Sequence, residues 1–210
     1  MDRKTILVGL AIFTFIALLT VATIFLKRPD TFRGTEYQQP LAASEITLTR
    51  DNGEIFRLSG QKGKVVLLFF GYTFCPDECP TTLAELKQVY DGLGGDAKFV
   101  EVVLISVDPG RDTPQHIQDY VNRFNPSFIG LSGSQAELEG VWKNYGIFRE
   151  IVPGTSPTNY SVDHTARISL IDPDGNLRLS YGFQTPVDDI IHDVELVLKF
   201  KKITSRIMRP

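Results

Sequence analysis

Two strongly apolar runs, the first continuous and the second broken by Glu101, constrain this chain more than any other feature. Lys64–Tyr72 reads KVVLLFFGY, and Phe99–Pro109 reads FVEVVLISVDP. A strand with one wet face alternates apolar and polar residues, whereas a strand covered on both faces does not. Each run is therefore predicted to be an interior strand of a sheet with helices packed over it. Between the runs, TLAELKQVYDGL sets Leu83, Leu86, Val89 and Tyr90 at helical spacing. After the second, TPQHIQDYVNRF carries Pro114 in its first turn and Ile117, Tyr120, Val121 and Phe124 on one face. FIGLSG then reads as a short strand and SQAELEGVWKNYG as a helix opened by Ser134. Hairpins flank this middle: ITLTRDNGEIFRLS turns at Asp51-Asn52-Gly53, and RISLIDPDGNLRLSYG turns between Asp172 and Asn176. PVDDIIHDVELVLKF closes the chain as a helix, and Phe148 to Asp163, with Pro153, Gly154 and Pro157, reads as irregular. The order predicts an α/β fold with a mixed sheet flanked by helices and an N-terminal hairpin.

Ahead of that domain, Thr5–Leu26 is 22 residues without a charge. As a helix it would reach roughly 33 Å, enough for a bilayer core of about 30 Å. A cleaved signal peptide has a shorter apolar region and a small-residue cleavage site, and VATIFLKRP offers none. Residues 1–28 are accordingly expected to be a retained N-terminal transmembrane anchor. Arg3 and Lys4 before the stretch are matched by Lys27 and Arg28 after it, so flanking charge alone orients it weakly. Residues 29–45 (PDTFRGTEYQQPLAASE) are polar with two prolines and no periodicity, and read as a tether to a domain over 46–205. The chain's net charge is -3, and because residues 1–28 carry four basic residues against Asp2 alone, the remainder has 18 basic and 24 acidic residues, a net of -6 that offers no basic face for nucleic acid.

The only two cysteines, Cys75 and Cys79, follow the first buried run and precede the first helix. That is where a thioredoxin-like fold keeps its reactive cysteines, and a helix N-terminus favours the thiolate. A disulfide closing so short a loop would stabilise little, so the pair reads as reactive or metal-binding. Three residues separate the sulfurs rather than the two usual in disulfide exchange, which widens the bite. Of the three histidines, His116 and His192 fall on the polar sides of helices and are expected to be solvated. His164, in VDHTA, stands just before the strand RISLI, on the loop that faces the cysteines in this fold. Two thiolates and an imidazole form a soft three-donor set suited to copper, whereas zinc would want a fourth ligand. Asp77 is read either as a helix cap or as a group orienting the site. Asp108, Arg111 and Asp112 are read as a structural turn or a docking surface. Asp163 could reach the imidazole but should point away, and Trp142 is expected in the core.

Together GYTFCPDECP, DPGRDTP (Asp108–Pro114) and VDHTA resemble, in order, three signature segments of the SCO/SenC proteins, over roughly residues 40–200 plus the anchor. The resemblance implies a thioredoxin-like domain holding copper through Cys75, Cys79 and His164. It implies a copper chaperone rather than an enzyme, helping to assemble the dinuclear copper centre of cytochrome c oxidase subunit II. Subunit II would then be a partner, with a periplasmic copper donor or a thioredoxin-like reductant. The short basic N-terminus lacks a mitochondrial presequence, so the bacterial inner membrane is expected, with the domain in the periplasm. A thiol–disulfide reductase that keeps the acceptor cysteines reduced is the competing reading. Peroxidase chemistry fits less well, because the cysteine surroundings follow a different pattern. Glu78 departs from the aliphatic residue that the family more often carries.

Overall fold

The structure, a computed structural model, describes residues 31–156 and 159–207, with positions 2, 7, 12–16 and 18 ahead of them. The chain divides into two units, Met1–Thr31 and Phe32–Pro210. Most of the expected transmembrane segment lies outside the described residues. Among the described residues no helix is long and apolar enough to cross a membrane.

In the second unit the two apolar runs form β4 (Val65–Gly71) and β5 (Val100–Ser106). All seven residues of β4 are buried, as its unbroken apolar sequence requires. The strands pair in parallel from Val65 opposite Val100 to Gly71 opposite Ser106. Helix α1 (Glu78–Gly92) makes the crossover and buries Cys79, Leu83, Leu86 and Val89. Helix α2 (Pro114–Asn122), capped by Thr113, leads to β6 (Ile129–Leu131), which is parallel to β5. Helix α3 (Gln135–Asn144) opens with a capping box between Ser134 and Glu137. On the other side of β4 lies β9 (Arg167–Ile171), antiparallel to it, and then β10 (Asn176–Gly182). Helix α4 (Val187–Ile207) closes the described chain, running past the end expected from sequence. The succession β4-α1-β5 followed by β9-β10-α4 is the thioredoxin-like arrangement.

Two segments differ from expectation. The stretch read as a tether carries β1 (Thr35–Ala42), an edge strand paired antiparallel to β10 and completing a six-stranded sheet in the order β1-β10-β9-β4-β5-β6. Its polar composition and Pro40 suit an edge, where one side of the strand needs no partner. The predicted hairpin β2 (Thr47–Thr49) and β3 (Ile55–Arg57) follows it as a separate two-stranded sheet. The stretch read as irregular is a second small sheet, β7 (Arg149–Ser156) against β8 (Asn159–His164). Nearly all of β7 is exposed, so no alternation of burial marks it in the sequence.

Candidate metal site

The cysteine loop leaves β4 at Tyr72 and turns back at Cys75, whose amide donates to the Tyr72 carbonyl. Asp77 occupies the N-cap position of α1 but makes no side-chain capping bond, so of its two readings the cap role is not taken. Cys79 lies in the first helical turn, fully buried, while Cys75 is half-buried. Gly71 explains how Cys79 reaches its place. A Cβ on Gly71 would lie 2.9 Å from the Cys79 sulfur, closer than side chains pack, so only glycine lets the helix sit this near the strand.

The sulfurs are chemically unequal. The Cys79 thiol donates to Cys75, and amides of Cys79 and Asp77 point at it, lowering the Cys75 pKa to about 6 against the opposing cost of burial. His164 adds a smaller favourable charge effect. The same hydrogen bond, followed by burial and the charges of Cys75 and Glu78, pushes the Cys79 thiol up. Glu78, the departure from the family pattern, thus acts on Cys79.

His164 ends β8. Its Nε2 lies 3.9 Å from the Cys79 sulfur, and its Nδ1 lies 3.2 Å from the Thr165 carbonyl. A carbonyl only accepts, so Nδ1 carries a proton and Nε2 is the ring nitrogen turned toward the cysteine. The His164 Nδ1 partner is the Thr165 carbonyl rather than the neighbouring Asp163. Donors that share one metal ion, about 2.3 Å from sulfur and about 2.0 Å from nitrogen, lie roughly 3.5–4.3 Å apart. The Cys79–His164 separation fits. Cys75 Sγ instead accepts the Cys79 amide at 3.3 Å, and among the described residues no three such donors are already gathered closely enough to hold a metal. Closing a three-donor site therefore requires at least one of the three side chains to shift.

A cleft of about 390 Å³ opens beside these groups, lined by Tyr72, Cys75 and His164 together with the carboxylate residues Asp77, Glu78 and Asp163. His116 and His192 are less plainly solvated than expected. The His116 ring packs edge-on to Phe74, and His192 Nδ1 meets Asp193 at 2.9 Å. Neither is near the cysteine pair by any hydrogen bond. Trp142 is core, donating to the Ser106 carbonyl at 3.0 Å. Tyr72 and Tyr160 are the residues that sequence reading missed. Tyr72 accepts the Val162 amide through its hydroxyl at 3.2 Å and meets the His164 ring edge-on, and Tyr160 joins Asp108 and Arg111.

The profile of SCO1/SenC matches residues 34–199. The chain belongs to the SCO1/SenC family. Bradyrhizobium japonicum ScoI, solved with copper bound, is 38% identical with a TM-score of 0.69, covering 74% of this chain and 99% of that one. Among SCO1/SenC relatives, the human mitochondrial SCO1 homolog is 34% identical over 146 residues, 69% of this chain and 48% of that protein. BsSco, described by its disulfide switch and as a member of the Sco family of cytochrome c oxidase assembly proteins, is 26% identical with a TM-score of 0.61 over 78% of this chain and 98% of its own. The chain thus spans about two thirds of its bacterial relatives' length and about half of the human one.

Proposed function

We propose that this chain is a copper chaperone, binding one copper through Cys75, Cys79 and His164 and delivering it during assembly of the dinuclear copper centre of cytochrome c oxidase subunit II. The observation that carries the reading is the 3.9 Å approach of His164 Nε2 to the Cys79 sulfur, with Nδ1 tied to a backbone carbonyl. An imidazole oriented by its far nitrogen is how proteins present histidine to a metal. The relatives support copper as the cargo, since ScoI carries it. Cys75, activated and facing the cleft, would be the ligand that exchanges first with an incoming thiolate of the acceptor. The anchor in residues 1–28 would hold the domain at the bacterial inner membrane on the periplasmic side.

A second reading has its own support. An activated, half-buried Cys75 beside a buried Cys79 is also the arrangement of an attacking and a resolving thiol in disulfide exchange. In that case the protein would reduce the acceptor's cysteines. Copper binding to the reduced full chain, measured anaerobically against a chelator, separates the two when His164→Ala is run beside it. The chaperone reading expects one tightly held copper and a loss of about 100-fold or more in the variant, which still forms the Cys75–Cys79 disulfide. Copper affinity unchanged by the substitution would defeat the ligand assignment. No copper in either protein, with a readily cycling disulfide, would make reduction the function.

A further inference from the structure

Although DPGRDTP supplies no donor to the proposed copper, its side chains run as one hydrogen-bonded line from the cysteine loop to the histidine hairpin. Thr73, two residues before Cys75, donates its hydroxyl to Asp112 Oδ1 at 2.5 Å and its amide to Oδ2 at 3.2 Å. Ser106 Oγ donates to Asp112 Oδ2 at 2.7 Å and accepts the Asp108 amide at 2.9 Å. Asp108 accepts the Tyr160 hydroxyl at 2.8 Å and Arg111 Nε. Arg111 then donates from NH1 to the Tyr160 carbonyl at 2.9 Å, and its guanidinium stacks 3.6 Å over the Tyr160 ring and 4.7 Å from the Phe74 ring. Tyr160 stands four residues before His164 on β8, and alternation puts both side chains on one face.

The line matters because of where His164 sits. Among the described residues, strands β7 and β8 pair only with each other, apart from the main sheet. A two-stranded hairpin is marginal alone, so its place is set by whatever pins it. Asp108 and Asp112 are each 1% exposed, a burial tolerated only where donors fill the carboxylates. Among those donors, Thr73 reaches Asp112 from the cysteine side and Tyr160 reaches Asp108 from the histidine side, while Ser106 and Arg111 supply the rest. Neither ligand-bearing segment reaches the other through sheet pairing; beside the direct Tyr72–Val162 bond, both are lashed to the same turn.

We infer that Asp108, Arg111 and Asp112 are positioning residues, a clasp that sets His164 against Cys75 and Cys79 and thereby governs how tightly, and with which donors, copper is held. The inference rests on the copper reading above. It is tested in the reduced and copper(II)-loaded full chain with Arg111→Met, which keeps the aliphatic stem, and Tyr160→Phe, which removes only the hydroxyl bond to Asp108, beside His164→Ala. Arg111→Met should unfold cooperatively and still close the Cys75–Cys79 disulfide, while copper affinity falls about 10–100-fold. The nitrogen coupling of a histidine ligand should fade from the electron paramagnetic resonance spectrum of its bound copper(II), as in His164→Ala. Tyr160→Phe should lose affinity in the same direction, by up to about tenfold. Wild-type affinity and spectrum in a folded Arg111→Met protein, with His164→Ala impaired, would overturn the clasp and leave the ligand assignment standing. If Arg111→Met does not fold, the same result in Tyr160→Phe overturns it. Unaltered copper binding in His164→Ala would bring down both readings.

Discussion

Cys75 and Cys79 lie one helical turn apart, and the fold gives them opposite acid–base characters. Cys75 receives the Cys79 thiol and two amides, and Cys79 is sealed under Gly71. A thiol whose pKa falls to about 6 is mostly thiolate above that pH. An ordinary cysteine reaches that state only near 8.5. In the reduced, copper-free full chain, the rate of alkylation at Cys75 should therefore rise through a midpoint near pH 6 and level off above about 7. Modification of Cys79 should lag far behind, because its thiol is buried and pushed the other way. Peptide mass analysis after timed iodoacetamide treatment reads both rates. A Cys75 midpoint at 8 or above would contradict the hydrogen-bonded pair. These residues were legible in the sequence because their chemistry is local: a strand end, a helix start and two thiols. Tyr72 and Tyr160 were not, since each acts on a segment far along the chain that only the folded topology brings near.

Elements were legible in proportion to how much of them is buried. β4 announced itself by unbroken apolar sequence, β5 by an apolar run broken only at Glu101, and α3 by Ser134 at its start. β1 and β7 did not. One is a polar edge strand, the other a mostly exposed hairpin arm containing Pro153 and Gly154, so turn chemistry outweighed a periodicity that burial never imposed. What holds β1 is Asp193 of α4, fully buried, which accepts the amides of Arg33 and Gly34 at 2.8–3.1 Å and the Tyr181 hydroxyl at 3.2 Å. Gly34 must be glycine there, because a Cβ would lie 2.4 Å from the Tyr181 ring. Asp193→Ala should strand these donors and destabilise the domain by about 2–4 kcal/mol, read as a lowered urea midpoint of the full chain. Limited proteolysis should then cut first within residues 33–42. A loss under about 0.5 kcal/mol would mean that β1 is held by its pairing with β10 alone.

At the scale of the molecule, the position of β1 changes what lies between the apolar N-terminal stretch and the domain. The tether expected over residues 29–45 shrinks, since Arg33 and Gly34 are already fixed to α4 and the second unit begins at Phe32. Little more than Lys27 to Thr31 separates the two. The proposed anchoring of the domain holds only if the stretch stays attached, which makes cleavage the decisive question. Thr5–Leu26 is uncharged over 22 residues and is followed by no small-residue cleavage site, so it should remain. The check is the intact mass and N-terminal peptide of protein extracted from membranes with detergent. Retention requires a peptide from within residues 1–28 and resistance of the membrane-bound pool to salt and alkaline washes. An N-terminus near residue 28 or later would turn the stretch into a signal peptide, free the domain from the membrane, and require it to find its acceptor by diffusion.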